Sequence, residues 1–330
     1  MAAVIHKDDI KPQIMIMREG AELIINPEEF ENFTFQDGDQ LKVIPFEAAE
    51  QLPITWGDFN IQVRPGVAIR VPLSYSFFEY KNFKIPKHLI ALTGAGPETF
   101  EQIGKLHIEH FEKYVGLKPN MQLLDVGSGI GRDAFQLFDF LGDDGAYHGI
   151  DVTRDSIVWC KNNISPKYPN YHFYHFDAEN ELYNPYGTKT SMEFELPVAD
   201  ASIDRIFLSS VFTHLLEPEV AHYLREFRRV LKPSGLVYAS FFHITPEAIE
   251  AAKTKRNTAW EAKFDIPLGG GAFANDPQFP RGAVGFTGEA ARRLIDQAGL
   301  RLHRPFLKGW WSGLYGAEAE DGQDVMVLGV

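Results

Sequence analysis

The sequence lacks several features that define particular classes of protein. Its 330 residues include one cysteine, Cys160, so neither an intramolecular disulfide nor a thiolate metal cage can form. No run approaches the roughly 18 apolar residues of a membrane-spanning helix. The N-terminal stretch is interrupted by charges and by Pro12, unlike the apolar core of a secretory signal. We therefore expect a cytoplasmic protein without a membrane span.

Positive charge is scarce. Lys and Arg number 32 against 45 Asp and Glu, which gives a formal net charge of -13. Affinity for nucleic acid rests largely on Lys and Arg, so we expect no nucleic-acid partner. Hydrophobic residues make up 45% of the chain, which is typical of a globular protein with a sizeable core.

Residues 1–85 have a β-rich pattern. Ala21–Ile25 and Leu41–Ile44 are short apolar runs on either side of the turn-like Asp37-Gly38-Asp39. The pattern predicts a small β-rich N-terminal domain without a chemical motif. Two interpretations stay open, namely a structural module through which a homo-oligomer would form and a cap that contacts the substrate.

From residue 86 onward, predicted strands alternate with predicted helices. Glu217–Leu231 and Phe286–Ala298 have helical spacing of apolar residues. Alternation of this kind predicts an α/β fold with a doubly wound, mostly parallel sheet over residues 86–330. The predicted strands include Met121–Val126, Ala146–Ile150, Tyr171–Phe176, Arg205–Leu208, Leu236–Phe242, Leu300–Phe306 and Asp324–Val330.

A glycine loop follows the first of these strands and precedes a helix. It contains Gly127, Ser128, Gly129, Gly131 and Arg132. Glycines allow a sharp turn and a close ligand approach, and the helix start presents free N–H groups. The Gly-x-Gly-x-Gly spacing is one residue shorter than the dinucleotide fingerprint.

Two acidic residues frame this loop. Asp125 stands directly before it, where its charge would repel a pyrophosphate, so the loop does not favour NAD. Asp151 ends the next predicted strand, about 20 residues past the glycines, where such folds place an acid that binds ribose hydroxyls. We therefore predict a cofactor site around Asp125–Arg132 and Asp151.

The segment resembles motif I of the class I S-adenosylmethionine-dependent methyltransferases. The resemblance covers about 86–330 and implies a seven-stranded, Rossmann-like sheet whose last strand is antiparallel. It implies S-adenosylmethionine as cofactor and S-adenosylhomocysteine as product. In this family the glycine loop faces the methionine portion. Further residues implied in cofactor binding are Asp151 and Val152 at the ribose, Asp177 and Ala178 at the adenine, and Ser209 near the methyl group. Ser234 departs from the family, which more often has Gly-Gly after the preceding Pro.

Three further segments resemble a bacterial subset whose members often accompany glycan-assembly enzymes. They are Asp177–Gly187, Ser210–Leu215, and Gly309–Gly313 with Gly322–Asp324. They supply the candidate substrate-binding residues Tyr183, Tyr186, Trp310 and Trp311. Paired tryptophans can stack on a sugar or aromatic ring, but they can equally belong to the core.

Two histidines are candidate general bases, because each follows a strand at the edge where ligands bind in α/β sheets. They are His214 and His243, and an unperturbed pKa near 6.5 suits proton acceptance. His214 could instead cap the next helix and contact only the cofactor, and the reaction could need no base. The Gly- and Pro-rich stretch Asn257–Val284 is interpreted as a lid over the acceptor.

A metal site is not expected. His172, His175 and Asp177 lie close in sequence, but alternation along a strand places His172 on the opposite face. The function that we predict is methyl transfer to an oxygen of a small molecule or saccharide, with a nitrogen acceptor as the variant. The alternatives are a catalytically silent cofactor-binding partner subunit and a nicotinamide oxidoreductase.

Overall fold

The computed structural model describes six strands within residues 13–72, and residues 77–330 except 181–182, 185–186 and 255–261. The chain divides into two compact units, Met1–His88 and Leu89–Val330.

The first unit is β-rich. Four antiparallel strands form a sheet in the order β2-β1-β3-β6, and two hairpins are formed by β4 with β5 and by β7 with β8. The strands are β1 (Gln13–Arg18), β2 (Ala21–Ile25), β3 (Gln40–Ile44), β4 (Leu52–Trp56), β5 (Phe59–Val63), β6 (Ile69–Pro72), β7 (Phe77–Tyr80) and β8 (Phe83–Pro86). A short helix, α1 (Lys87–Ala91), follows.

The second unit alternates strands and helices, as predicted. In chain order its elements are α2 (Pro97–Val115), β9 (Gln122–Val126), α3 (Arg132–Leu137), β10 (Ala146–Asp151), α4 (Arg154–Asn163), β11 (Tyr171–His175), β12 (Ile203–Leu208), α5 (Glu217–Val230), β13 (Leu231–Ile244), α6 (Pro246–Thr254), β14 (Ile266–Gly269), β15 (Ala272–Ala274), β16 (Val284–Thr287), α7 (Gly288–Gln297), β17 (Arg301–Leu302) and β18 (Asp324–Gly329).

The central sheet is mostly parallel. Strands β11, β10, β9, β12 and β13 pair in that order and run parallel, and β18 pairs antiparallel with β13. Strand β17 pairs with β18 and has two residues, shorter than the predicted Leu300–Phe306. These seven strands confirm the predicted doubly wound sheet with an antiparallel last strand.

Three further strands extend the sheet at the carboxyl end of β13. The end of β13 pairs in parallel with β16, and β15 and β14 follow in antiparallel order. We call residues 262–287 the β14–β16 insertion. It occupies much of Asn257–Val284, the stretch interpreted from sequence as a lid over the acceptor, and that role stays a prediction. Its strands have three or four residues each and are interrupted by glycine and proline, which explains why no strand pattern was evident.

The core lies between the sheet and its helices. Helix α5 begins at Glu217 with Pro218 in its first turn, and it buries Val220, Leu224 and Phe227 against the sheet. The buried strand residues Leu124, Ile150, Ile206 and Val237 belong to the same cluster. Because β9, β10 and β12 are parallel and in register, their carboxyl ends meet at one edge. Among the described residues, no helix is both long and apolar enough to cross a lipid bilayer.

Candidate functional site

A cavity of about 370 Å³ opens at the carboxyl edge of β9, β10 and β12. Small-molecule sites usually enclose roughly 300–1,000 Å³, so this volume suits one cofactor-sized ligand. Its walls come from the segment after α1, the glycine loop, the end of β10, the segment after β11 and the turn after β12. Its lining includes Leu92, Thr93, Gly94, Asp125, Gly127, Ser128, Gly129, Arg132, Asp133, Asp151, Val152, Thr153, Tyr183, Ser209, Ser210, His214 and Tyr223.

The glycine loop needs its glycines for conformation. Gly127, Gly129 and Gly131 have φ values of +85°, +51° and +80°, which side chains rarely adopt. The backbone N–H groups of Gly127 and Ser128 donate to the Ile150 carbonyl at 2.8 and 3.1 Å. A Cβ on Gly127 would lie 2.5 Å from Cγ2 of Val211. The loop is therefore tied to β10 and closely covered by the turn after β12.

Asp151 is buried at the end of β10 and organises the loop. Its Oδ2 accepts from the Gly129 N–H at 2.7 Å, and its Oδ1 accepts from the Thr153 N–H at 2.7 Å and from the Thr153 hydroxyl at 2.5 Å. Burial raises the pKa of Asp151, although these hydrogen bonds oppose the rise. Since Oδ2 accepts only one of these bonds, it can accept a further one, and Asp151 can hold a ligand hydroxyl as well.

Asp125 lies beneath the loop in an acidic cluster. It accepts a hydrogen bond from the Tyr147 hydroxyl, and burial together with the nearby Asp133 raises the pKa of Asp125 to about 7. Burial acts to raise the pKa of Asp133 too, but His107 lowers it overall, with its Nδ1 at 2.9 and 3.0 Å from the two carboxylate oxygens. The cluster therefore offers negative charge to a cationic ligand group.

Two buried polar atoms near the cavity lack a hydrogen-bond partner among the described residues. Within the described part of the chain, neither Oγ of Ser128 nor Nε of Arg132 has a hydrogen-bond partner. Nη1 of Arg132 donates to Oγ1 of Thr93 at 3.4 Å, and its Nε lies 3.8 Å from Oδ1 of Asp133, which is ion-pair distance but beyond a hydrogen bond. Buried polar groups are normally satisfied, so both atoms indicate a polar ligand at this end of the cavity. No pattern in the sequence pointed to Thr93, which lies far from the motif.

His214 lines the cavity from the turn after β12. Its Nδ1 lies 2.9 Å from the carbonyl oxygen of Arg281, and burial lowers the pKa of His214 although this backbone contact opposes the fall. A carbonyl can only accept, so the neutral ring carries its proton on Nδ1 and keeps Nε2 as an acceptor. The Tyr183 ring, also at the cavity, meets the His214 ring edge-on at 6.1 Å between centroids.

Ser209 and Ser210 line the cavity directly after β12. Ser210 has a φ of +61°, and its N–H donates to Oγ of Ser240 at 2.7 Å. The Ser240 hydroxyl donates to Oε1 of Gln323 at 2.7 Å, and Nε2 of Gln323 donates to Oγ of Ser210 at 3.0 Å. Backbone strain of this kind is common at functional sites. Gln323 lies 113 residues from Ser210, so sequence reasoning could not connect them.

Other predicted cofactor residues lie outside the cavity lining among the described residues. Gly131 begins α3, where a Cβ would lie 3.3 Å from Cδ1 of Ile164 and 3.5 Å from Sγ of Cys160. Asp177 accepts hydrogen bonds from the Thr188 hydroxyl at 2.6 Å and from Asn184 at 3.3 Å. Ala178 is buried. Contact of these three residues with the cofactor stays a prediction.

Two further candidates, Trp311 and His243, pack against aromatic side chains. The Trp311 ring is buried against Phe242, and its Nε1 donates to Oδ2 of Asp324 at 2.5 Å. The His243 ring packs on Phe306 at 5.1 Å between centroids, and burial lowers its pKa. Neither side chain is in the cavity lining found among the described residues.

Two substrate candidates cannot be placed at the cavity. Trp310 is half exposed in the loop before β18 and is likewise absent from the described lining. Tyr186 lies outside the described residues.

A glycine loop and a strand-end acid, at the carboxyl edge of this sheet order, define the class I S-adenosylmethionine-dependent methyltransferases. The chain belongs to the methyltransferase-domain family, whose family model matches residues 117–299, more than half of its length. Its cofactor is S-adenosylmethionine. The volume of the cavity and the two unpartnered polar atoms fit this cofactor.

The curated relatives are named for different methyl acceptors. Arsenite methyltransferase of Aquipseudomonas alcaligenes is 28% identical over 192 residues, covering 56% of this chain and 51% of the relative. Human arsenite methyltransferase is 30% identical over 179 residues, covering 52% and 43%. Demethylmenaquinone methyltransferase of Lysinibacillus sphaericus is 23% identical over 193 residues, covering 57% and 73%. The chain spans about half the length of these two arsenite methyltransferases.

A SAM-dependent methyltransferase from Aquifex aeolicus is 18% identical with a TM-score of 0.44, covering 74% of this chain and 98% of that one.

Proposed function

We propose that the protein transfers the methyl group to an oxygen of a small molecule or saccharide, with His214 as general base. The observation that carries this proposal is the hydrogen bond from Nδ1 of His214 to the Arg281 carbonyl, in a ring that lines the cavity. The contact leaves Nε2 as a proton acceptor. The lowered pKa keeps the ring neutral at pH 7.

The part of the cavity proposed to bind the cofactor is formed by the glycine loop and the end of β10. Asp151 would hold the ribose hydroxyls, while Ser128 and Arg132 would supply polar contacts to the methionine portion. Asp125 belongs to the acidic cluster at the loop, and the positive charge of a bound S-adenosylmethionine would favour its ionised form. The remaining proposed contacts are Gly127, Gly129, Val152 and Ser209, which line the same cavity.

The chain's own residues would position the acceptor and take its proton. Tyr183 and His214 form one wall, and Ser210 is oriented by Gln323. When bound, S-adenosylmethionine would supply its methyl group to the acceptor oxygen from the sulfonium, which would keep the C–S electron pair and become the thioether of S-adenosylhomocysteine. The acceptor's hydroxyl proton passes to Nε2 of His214 and later to solvent. Alignment and proton removal are the two contributions expected from the protein.

Arsenite fits this chain poorly as an acceptor, although several relatives are named for it. Trivalent arsenic is a soft centre, and soft centres prefer thiolate ligands. The only cysteine, Cys160, is buried in α4, and burial raises the pKa of its thiol well above the usual value. A neutral, enclosed single thiol cannot provide a thiolate pair.

The test measures methyl transfer to a panel of hydroxylated small molecules, saccharides, amines and arsenite. We expect products from oxygen acceptors and none from arsenite. His214→Ala should lower turnover by roughly 10²–10⁴-fold, because a general base contributes about that much. Affinity for S-adenosylhomocysteine, measured by calorimetry, should not change.

Two variants sharpen this test. His214→Asn keeps a side-chain N–H for the Arg281 carbonyl but lacks Nε2, so it should be as impaired as His214→Ala. His243→Ala should retain activity, because the His243 ring packs on Phe306. Normal turnover in His214→Asn would contradict the proposal. Cofactor binding without transfer to any acceptor would instead support the silent partner subunit.

A further inference from the structure

The carbonyl that meets His214 belongs to a distant segment of the chain. Arg281 lies in the short turn Pro280–Gly282 between β15 and β16, whereas His214 lies 67 residues earlier, after β12. The β14–β16 insertion therefore reaches over the sheet edge and presents a backbone acceptor to the ring. This contact decides which nitrogen of His214 carries the proton.

The Arg281 side chain anchors that turn. Its Nη1 donates to Oε2 of Glu219 at 2.6 Å, and the two side chains are only 24% and 9% exposed. Charge-assisted hydrogen bonds of this kind are short and directional. A half-buried ion pair thus fixes the residue whose own carbonyl faces His214.

Glu219 is itself held from several sides. Its Oε2 also accepts from the Leu216 N–H at 2.8 Å, and its Oε1 accepts from the Ser191 hydroxyl. It lies in the first turn of α5, where the helix dipole favours a carboxylate. The ion pair therefore connects the insertion to a rigid part of the fold, immediately after the His214 turn.

A second ion pair joins α7 to the same helix, and its arginine also contacts the insertion. Nη2 of Arg293 donates to Oε1 of Glu217 at 2.9 Å and to the Gly270 carbonyl at 2.7 Å. This pair holds the β14–β15 turn but does not adjoin the carbonyl that contacts His214. It therefore provides a matched comparison with the Arg281–Glu219 pair.

We infer that Arg281 is a positioning residue, which through its ion pair with Glu219 holds its backbone carbonyl against Nδ1 of His214 and thereby presents Nε2 as the base. This inference rests on the proposed function of His214. The groups that face the ring are the Tyr183 side chain and the backbone of Arg281 and Gly282. The ion pair acts on the ring through geometry, since the contact is made by a carbonyl.

The first readout is the tautomer of His214, which needs no acceptor. Protein labelled with ¹⁵N-histidine and saturated with S-adenosylhomocysteine is examined by NMR, and the His214 signal is assigned by its loss in His214→Asn. We expect the Nδ1-protonated tautomer in the wild type and a mixture in Arg281→Met. The double variant Arg281→Met/Glu219→Gln, which leaves no unpaired buried charge, should behave in the same way. Arg281→Lys should largely restore the wild-type signal.

The second readout is turnover. A small misplacement of a catalytic group can cost up to about 10²-fold, so Arg281→Met should lower kcat roughly 10- to 100-fold with unchanged cofactor affinity. In a His214→Asn background the same substitution should have no further effect, because it acts through His214. Arg293→Met, the matched control, should leave the His214 tautomer unchanged.

The outcomes separate this inference from the proposed function. An unchanged His214 signal in Arg281→Met and in the double variant would overturn the positioning role. An equal loss of kcat in the His214→Asn background would also overturn it, since the effect would then be structural. If His214→Asn keeps full turnover while Arg281→Met shifts the His214 tautomer, Arg281 does orient the ring, but His214 is not the general base.

Discussion

At the residue scale, Asp125 combines burial with opposing electrostatic neighbours. Burial and Asp133 raise its pKa to about 7, while the Tyr147 hydroxyl and His107 act in the other direction. Its ordinary value is 3.8. Between roughly pH 4 and pH 7 the folded protein therefore binds more protons at Asp125 than the unfolded chain does.

A pH dependence of stability follows from this raised pKa. Because the folded state holds the extra proton, the free energy of unfolding should fall as the pH rises through this window, as far as Asp125 contributes. Asp125→Asn cannot ionise, so its midpoint of thermal unfolding should fall less between about pH 4 and about pH 7. Asp143→Asn, the same substitution at an exposed position, is the matched control and should keep the wild-type slope. Equal slopes in Asp125→Asn and the wild type would contradict the assignment.

His214 shows how a single residue acquires its role from its surroundings. Its position after β12 is readable from sequence, but its proton is placed by a carbonyl from the β14–β16 insertion. His243 lies at the end of the neighbouring strand β13, beyond the predicted strand end at Phe242, and packs on Phe306. Two histidines at one sheet edge therefore have different surroundings.

At the element scale, the glycine loop joins β9 to α3 in little space. Gly127 has a φ of +85°, and the Val211 side chain covers it from the turn after β12. The loop accordingly depends on both backbone conformation and the absence of a side chain.

Gly127→Ala tests these two requirements. A residue with a Cβ in the left-handed region costs about 1–2 kcal/mol, and here the Cβ would also meet Val211 at 2.5 Å. We expect a lower unfolding temperature and weaker S-adenosylhomocysteine binding by at least about 10-fold, equivalent to about 1.4 kcal/mol. Gly316→Ala is the matched control, because Gly316 has a φ of +52° and nothing within 4 Å of an added Cβ. Equal destabilisation by both substitutions would show that Val211 does not matter.

The contacts of Asp324 explain why Trp311 is buried although its neighbour Trp310 is half exposed. Its buried carboxylate accepts from the Gly309 N–H at 2.9 Å, from Nε1 of Trp311 and from the His243 N–H at 3.0 Å. It thereby ties the start of β18 to β13 and to the preceding loop. Trp311 is drawn into the core by this bond, while Trp310 is half exposed.

At the scale of the whole molecule, the chain consists of two compact units. The cavity lining extends from Leu92 to Tyr223 and lies within the second unit. We propose that residues 1–85 form a separate β-rich module and that residues 86–330 form the methyltransferase domain. The module's contribution, as an interface or as a cap, stays a prediction.

Removal of the first unit tests this division. A fragment of residues 89–330 should fold and bind S-adenosylhomocysteine with affinity within about 10-fold of the full chain, because it contains the whole described cavity lining. Calorimetry on the fragment and the full chain gives the comparison. A folded fragment that has lost binding would show that the N-terminal unit completes the site. Comparing the oligomeric states of the two would test an interface in residues 1–85.

Local patterns in the sequence were enough to determine the doubly wound sheet, the family and the cofactor. Alternating apolar runs establish strands and helices because burial follows their periodicity. The loop Gly127–Gly131 and Asp151 are recognisable because their spacing reflects a backbone requirement and one strand crossover. The acidic charge and the single cysteine likewise follow from composition alone.

Only the tertiary structure decided which distant residues meet. Thr93 beside Arg132, Gln323 beside Ser210, and Arg281 beside His214 are contacts between segments that share no pattern. The β14–β16 insertion was likewise hidden, since its short strands are stabilised by pairing with β13 rather than by their own periodicity. Local sequence specifies the elements because their hydrogen bonds and burial are periodic, whereas side-chain partners far apart in the chain depend on how those elements pack.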